Sequence, residues 1–153
     1  MIRIFDFLFS FFGLLILSPV LLILFVITYF DTGSPLFRQE RIGRFEEPFT
    51  LVKFRTMQFD TASVASHLVD KSAITSIGSF LRKSHLDELP QLLSVIKGEM
   101  SLIGPRPERP SIEKDLTKYI PNYNLRHFIK PGLSGWAQVN FPYGASINDS
   151  YIK

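Results

Sequence analysis

Ser84-His85-Leu86-Asp87-Glu88-Leu89-Pro90-Gln91-Leu92-Leu93-Ser94-Val95-Ile96-Lys97-Gly98 runs directly into Glu99-Met100-Ser101-Leu102-Ile103-Gly104-Pro105-Arg106-Pro107. Leu89, Leu92, Leu93 and Ile96 recur at i, i+3, i+4 and i+7, the spacing of one buried helical face. Pro90 is compatible with a helix that begins just before it, because first-turn N–H groups have no acceptor inside the helix to lose. Gly98 suits a left-handed cap that ends the helix. Asp87 and Glu88 are thereby placed at the positive end of a helix, and a loop follows that holds Arg106 between Pro105 and Pro107.

A structural role for Asp87 is available, as an N-cap or as the acidic member of a Ser-x-x-Asp box with Ser84. The chemical alternative is a division of labour. Adjacent side chains on a helix diverge by about 100°, so Asp87 and Glu88 cannot do the same job. One can attack phosphorus as a nucleophile while the other ligates Mg²⁺, an ion that favours one or two carboxylates completed by phosphate oxygens and water. First-turn N–H groups would stabilise a phosphate brought there. Arg106, with little backbone freedom, suits bidentate phosphate binding, and Arg109-Pro110 repeats the theme more weakly.

With 153 residues the chain is sized for one domain. It has no cysteine, which excludes disulfides, thiolate zinc sites and cysteine nucleophiles. His67, His85 and His127 show no metal-ligand spacing. The net charge is only +3, with basic residues interleaved among acids. That argues against nucleic acid as the main partner and leaves room for local sites that bind phosphate or anionic lipid headgroups.

Phe7 to Phe30 contains no charged residue. As a helix it measures roughly 36 Å, enough for the hydrocarbon core of a bilayer. It is too long for the apolar region of a signal peptide and lacks a small-x-small cleavage site. Ser18-Pro19 falls in its middle and predicts a kink. Two topologies follow: a kinked spanning helix, favoured by the bare hydropathy, or a re-entrant helix whose halves, about 18 Å each, are too short to cross alone. Arg3 on one side and Arg38, Arg41 and Arg44 on the other place the globular part in the cytoplasm.

Leu36–Arg41 and Phe49–Thr56 read as short strands joined through Gly43 and Pro48. On the second, Phe49, Leu51, Lys53 and Arg55 share a face, with Lys53 and Arg55 about 7 Å apart, suited to gripping one phosphorylated ligand or to protecting an edge strand. Gln58–Thr75 reads as a loop or a poorly ordered helix. Ile74–Lys83 is amphipathic, with Ile77, Phe80 and Leu81 apolar, and lies on the core or in a membrane interface. Pro121–Phe128 reads as a helical or irregular connection and Leu133–Asn140 as a strand or extended segment. Trp136 belongs in the core or at the interface.

These blocks occur in a telling order: Ser18-Pro19; Phe37-Arg38-Gln39-Glu40-Arg41-Ile42-Gly43; Lys53-Phe54-Arg55-Thr56-Met57; Leu86-Asp87-Glu88-Leu89-Pro90-Gln91-Leu92; Ser101-Leu102-Ile103-Gly104-Pro105-Arg106-Pro107; and Lys130-Pro131-Gly132-Leu133-Ser134-Gly135-Trp136-Ala137-Gln138-Val139-Asn140. The series resembles the bacterial sugar transferases, the monotopic polyprenol-phosphate phosphoglycosyl transferases. The form of Gly104 to Pro110 is most similar to the exopolysaccharide-initiating undecaprenyl-phosphate sugar phosphotransferases.

The resemblance implies an α+β protein. A re-entrant membrane helix, residues 1–31, is broken at Ser18-Pro19, in place of the spanning topology. A small cytoplasmic transferase domain, residues 32–153, has interfacial amphipathic helices and a short β-hairpin, and lacks the family's usual C-terminal segment. It implies transfer of a sugar-1-phosphate from a UDP-sugar to undecaprenyl phosphate at the cytoplasmic face of the bacterial inner membrane, with Mg²⁺ and release of UMP. Asp87 is implied as the nucleophile that becomes an aspartyl-phosphosugar, Glu88 with Asp87 at the metal, and Lys53, Arg55, Arg106 and Arg109 at phosphate. A second copy or downstream glycosyltransferases are further expected partners. The rival expectation is a membrane-anchored relative that binds or scaffolds without catalysis.

Overall fold

The computed structural model describes residues 1–59 and 73–140. Most of the expected Gln58–Thr75 loop, and everything from residue 141 on, lies outside the described residues.

Helix α1, Ile2–Thr32, is a single 31-residue α-helix closed by Gly33 in the left-handed conformation. Its most apolar stretch has a mean hydropathy of 2.8, and only 11% of that stretch is buried. A core helix of a soluble protein would be mostly covered, whereas Phe9, Ile16 and Phe30 are each at least 66% exposed. Surface of this kind belongs in lipid.

Helical structure continues through Ser18-Pro19, so the expected interruption there does not end the helix. The reason is local. Pro19 has no N–H to offer the Leu15 carbonyl, and the Ser18 hydroxyl donates to that carbonyl instead, at 2.8 Å. The side chain of one residue replaces the backbone donor that its neighbour lacks.

Both ends of α1 are fastened to the same folded body. Near the start, the Arg3 guanidinium donates to the carbonyls of Val95 and Ile96. Asp6, 5% exposed, accepts from Ser101 Oγ at 2.8 Å and from the Leu102 N–H at 3.1 Å. Near the end, Asp31 Oδ2 accepts from Thr75 Oγ1 at 2.6 Å. Leu24 is itself core, clustered with Phe54 and Leu81 and flanked by Leu21, Leu36, Ile77 and Leu86. The second half of α1 is thus built into the domain.

Strands β1, Leu36–Ile42, and β2, Pro48–Phe54, form the expected antiparallel hairpin, with Leu36 opposite Phe54 and Ile42 opposite Pro48. The inward Phe49 and Leu51 meet Val95 and Met100 in a second cluster. Helix α2, Ser76–Ser84, is capped by Thr75, whose hydroxyl accepts from the Gly78 N–H. Gly78 allows α2 to touch β2's extension: a Cβ there would stand 2.0 Å from the Thr56 carbonyl oxygen.

The central stretch differs from its periodicity. Leu86–Gln91 forms a 3-10 turn, followed by a short helix α3, Leu92–Lys97, ended as expected by Gly98 at φ 93°. Its buried positions are Leu92, Ser94 and Val95, while Leu93 is 50% exposed, so the face read from Leu89, Leu92, Leu93 and Ile96 is not the buried one. The tighter winding before Leu92 rotates the stripe. Ser84 is no N-cap either: its hydroxyl donates back to Phe80 and Leu81, finishing α2.

Strands β3, Ser101–Ile103, and β4, Gly132–Ser134, pair in parallel, a sheet unseen in the sequence because each strand is three residues long. Helix α4, Pro110–Tyr119, and a 3-10 turn, Tyr123–Phe128, connect them. The extended reading of Leu133–Asn140 holds only to Ser134. Trp136–Asn140 is a short helix α5, and Trp136 is 78% exposed instead of core.

Candidate active site

The 3-10 turn, β2 and the Pro-Arg-Pro loop converge on a solvent-open cavity lined by Arg41, Leu51, Lys53, Glu88, Gln91 and Arg106 among others. Leu51 and Lys53 point the same way by the period of two along β2, so both line the cavity, Leu51 at its base as part of the core. Glu88 faces Arg106 across it, the guanidinium donating to Glu88 Oε1 at 3.0 Å.

Asp87 is 4% exposed. Burial raises its carboxyl above the usual aspartate value. The Lys53 ammonium pulls it back down, Glu88 pushes it up, and Arg82 lowers it further. A carboxylate desolvated beside a like charge is more reactive than one in water, and Lys53 keeps it ionisable. Arg82 is itself steered by a bond from its Nε to Thr56 Oγ1 at 2.7 Å.

The loop that presents Arg106 is held carbonyl by carbonyl. The Pro105 oxygen accepts from the Gly132 N–H at 2.9 Å and the Glu108 oxygen from the Ile42 N–H at 2.9 Å. Between them, the Arg106 oxygen accepts from Arg126 Nη2 at 2.6 Å and the Pro107 oxygen from Arg41 Nη1 at 2.8 Å. Arg41 also donates to Gln39 Oε1 at 2.7 Å. Arg126 rests on the Tyr123 ring, 4.7 Å from its centroid, and donates to its hydroxyl. Burial pushes that phenol well up, which keeps it neutral. Proline rigidity and these tethers fix the backbone that presents the Arg106 side chain.

The structure therefore brings Lys53, Glu88 and Arg106 to one cavity with Asp87 beside them. It does not bring Arg55 there. β2 ends at Phe54, and Arg55 turns to donate to the Ser34 carbonyl at 2.9 Å, its guanidinium 5.6 Å from the Phe37 ring and 5.1 Å from the Phe59 ring. Arg109 sits at the N-cap of α4 and does not line the cavity. Sequence reasoning missed Arg41, Gln91 and Arg126. Arg41 stood inside a quoted block without a role, and nothing in local spacing marks Arg126, whose partner is a backbone carbonyl 20 positions away.

Among the described residues no three His, Cys, Asp or Glu side chains converge as a metal cage. Two neighbouring carboxylates opposite a basic wall fit the other kind of Mg²⁺ site, in which phosphate oxygens and water complete the shell.

Residues 1–152 match the model of the bacterial sugar transferase family. The chain belongs to that family. Similar bacterial sugar transferases include the UDP-N-acetylgalactosamine-undecaprenyl-phosphate N-acetylgalactosaminephosphotransferase of Aeromonas hydrophila, 38% identical over 89% of this chain and 33% of the relative. An uncharacterized sugar transferase of Bacillus subtilis, EpsL, is 42% identical over 90% of this chain and 67% of its own length. The UDP-glucose:undecaprenyl-phosphate glucose-1-phosphate transferase of Escherichia coli is 39% identical over 83% of this chain and 28% of the relative. The chain thus spans about a third of the Aeromonas and Escherichia relatives and about two thirds of the Bacillus one.

Proposed function

We propose that this chain is a membrane-bound phosphoglycosyl transferase that moves a sugar-1-phosphate from a UDP-sugar to undecaprenyl phosphate. The observation that carries the reading is the buried Asp87 carboxylate beside a cavity lined by Lys53, Glu88 and Arg106. The names of the Aeromonas and Escherichia relatives support the acceptor and the reaction class.

In the proposed chemistry an Asp87 carboxylate oxygen attacks the sugar-linked phosphorus of the donor. The bond from that phosphorus to the bridging oxygen breaks, and UMP leaves with the oxygen and the electron pair. A phosphate oxygen of the lipid then attacks the same phosphorus and frees Asp87. Lys53 and Arg106 offset the charge of a diphosphate approached by a carboxylate, which is the main barrier to the first step. Mg²⁺, held by Glu88 and Asp87, would add to that neutralisation when bound.

Fastening of both ends of α1 to one body supports a monotopic anchor, with helix and active site on one face of the membrane. We assign that face to the cytoplasm of the inner membrane, where nucleotide sugars are made. The test is UMP release by the purified chain from a panel of UDP-sugars, with undecaprenyl phosphate and Mg²⁺. Release with one donor and retention of its phosphosugar on the protein, both lost in Asp87→Asn, is the expected result. No release with any donor would overturn the reading.

A further inference from the structure

Away from the cavity, three cations gather at the start of α1. Arg3 Nη2 and Lys130 Nζ both lie against Gly98, 3.1 and 3.4 Å from where a Cβ on that glycine would stand. Arg44 joins them through its bond to the Phe128 carbonyl, two positions before Lys130; burial first, then Arg3 and Arg44, lowers the Lys130 ammonium below its usual range against the opposing pull of Asp6. None of the three forms an ion pair with a carboxylate among the described residues. Arg3 spends its donors on the Val95 and Ile96 carbonyls, and Arg44 donates through Nε to the Phe128 carbonyl at 3.0 Å.

The same cluster is bordered by apolar surface. The Arg44 guanidinium lies 4.4 Å from the Phe45 ring centroid, and Phe45 meets Phe128 edge-on at 6.5 Å. Phe45 and Phe128 are each 60% exposed and Ile129 is 58% exposed. Phe45 is held out in the left-handed conformation at φ 58°, strained for an aromatic residue. Lys130, next to Ile129 in the chain, joins the patch to α1 at Gly98, where Arg3 also lies; Ile2, Ile4 and Phe5 around Arg3 are all more than half exposed.

We infer that Arg3, Arg44 and Lys130, with Phe45, Phe128 and Ile129, form a second membrane contact that binds the phosphate headgroups of anionic lipids. The chemistry is complementary on both counts. Three clustered cations, none in an ion pair among the described residues and only Lys130 facing a carboxylate, Asp6, attract a negative surface, and the neighbouring rings and Ile129 enter the headgroup–acyl boundary. Continuity with α1 selects a lipid surface over a soluble phosphate or an acidic protein. The contact would seat the domain against the bilayer at the Pro131 side of the Pro-Arg-Pro loop. It rests on the membrane reading of α1 proposed above.

The chain has no cysteine, so single labels are unambiguous. The full chain is placed in nanodiscs of phosphatidylcholine alone or with phosphatidylglycerol, bearing an environment-sensitive fluorophore at Ile129→Cys or, separately, at Phe12→Cys on α1. The Ile129 label is expected to shift to the blue and to escape acrylamide only when phosphatidylglycerol is present, with the effect undone by salt. Lys130→Gln and Arg44→Gln should each lower the docking equilibrium about fivefold, while Lys118→Gln on α4 leaves it unchanged. An Ile129 label equally open to acrylamide in both lipids, with the Phe12 label protected, would overturn the contact and leave the anchor standing. A Phe12 label open to acrylamide would overturn the anchor as well. Protection that is the same in both lipids would reduce the patch to an apolar contact and overturn headgroup binding.

Discussion

The Arg106 guanidinium donates to the Glu88 carboxylate at 3.0 Å, so the group proposed for phosphate and the group proposed for metal hold each other across the cavity. With side chains 30% and 17% exposed, the pair is partly screened and can exchange partners without leaving a deeply buried charge alone. Arg106→Met should lower kcat/KM for UMP release by on the order of a hundredfold or more, as expected for loss of one preorganised donor to developing charge. Arg106→Lys should recover only a small part, since an ammonium has no planar fork. Near-normal kcat/KM in Arg106→Met would remove this residue from the site.

Asp87→Asn should abolish turnover while making the protein more stable at neutral pH. Burial raises the native carboxyl above the usual 3.8, so the folded state binds this proton more tightly than the unfolded one. The group's contribution is therefore fully present below 3.8 and is lost as pH rises through the raised native value. Asn never ionises and escapes that loss. Thermal melts of the two proteins should diverge above the carboxylate range, with the variant higher, and approach each other in acid. A lower midpoint for the variant at neutral pH would contradict the origin assigned to the shift.

Lys53→Met should move the acid limb of the pH–rate profile upward. The ammonium favours the ionised Asp87, so its removal raises the carboxyl further, and less of the nucleophile is charged at a given pH. A profile that falls in height without moving would assign Lys53 to substrate binding alone.

His127 and Glu113 form a buried pair at 2.6 Å, side chains 8% and 11% exposed. Gly43's carbonyl oxygen, 3.2 Å from Nδ1, can only accept, so Nδ1 bears a hydrogen and Nε2 shares a proton with Glu113. This joins α4, the Tyr123–Phe128 turn and the hairpin turn behind the Pro-Arg-Pro loop. His127→Ala should cost about 3 kcal/mol in denaturant unfolding, with no comparable loss when Lys118 on the outer face of α4 becomes Ala.

Single cysteines at Ile2 and at Lys118 should be labelled by an impermeant maleimide from the same side of sealed vesicles. Arg3 and Asp6 bond to residues of the domain that contains Lys118, which forbids opposite faces. Labelling from opposite sides would restore a spanning helix.

Periodicity recovered α1, α2 and the β1–β2 hairpin, and it passed over α4, Pro110–Tyr119. It misplaced the buried face of α3, because a 3-10 turn before Leu92 advances the chain by a different angle per residue, and it caught β4 only at Leu133–Ser134 and β3 not at all. At the site, Asp87, Glu88, Lys53 and Arg106 were legible as charges beside prolines or within a strand. Arg55 was placed on the Lys53 face because the strand was read as Phe49–Thr56, two residues beyond Phe54, where β2 ends. The tethers from Arg41 and Arg126 were invisible, since each ends on a backbone carbonyl whose position only the folded chain determines.

Arg3 and Asp6 find their acceptors and donors 92 to 96 positions later in the chain. During translation the front of α1 has nothing to grip until Val95–Leu102 has emerged. A chain that let the front of α1 slip across the bilayer in that interval would strand Asp6 on the far side of the membrane from Ser101. These bonds form only if the start of α1 and the Val95–Leu102 segment meet on one side, a timing requirement written into contacts 92 to 96 positions apart.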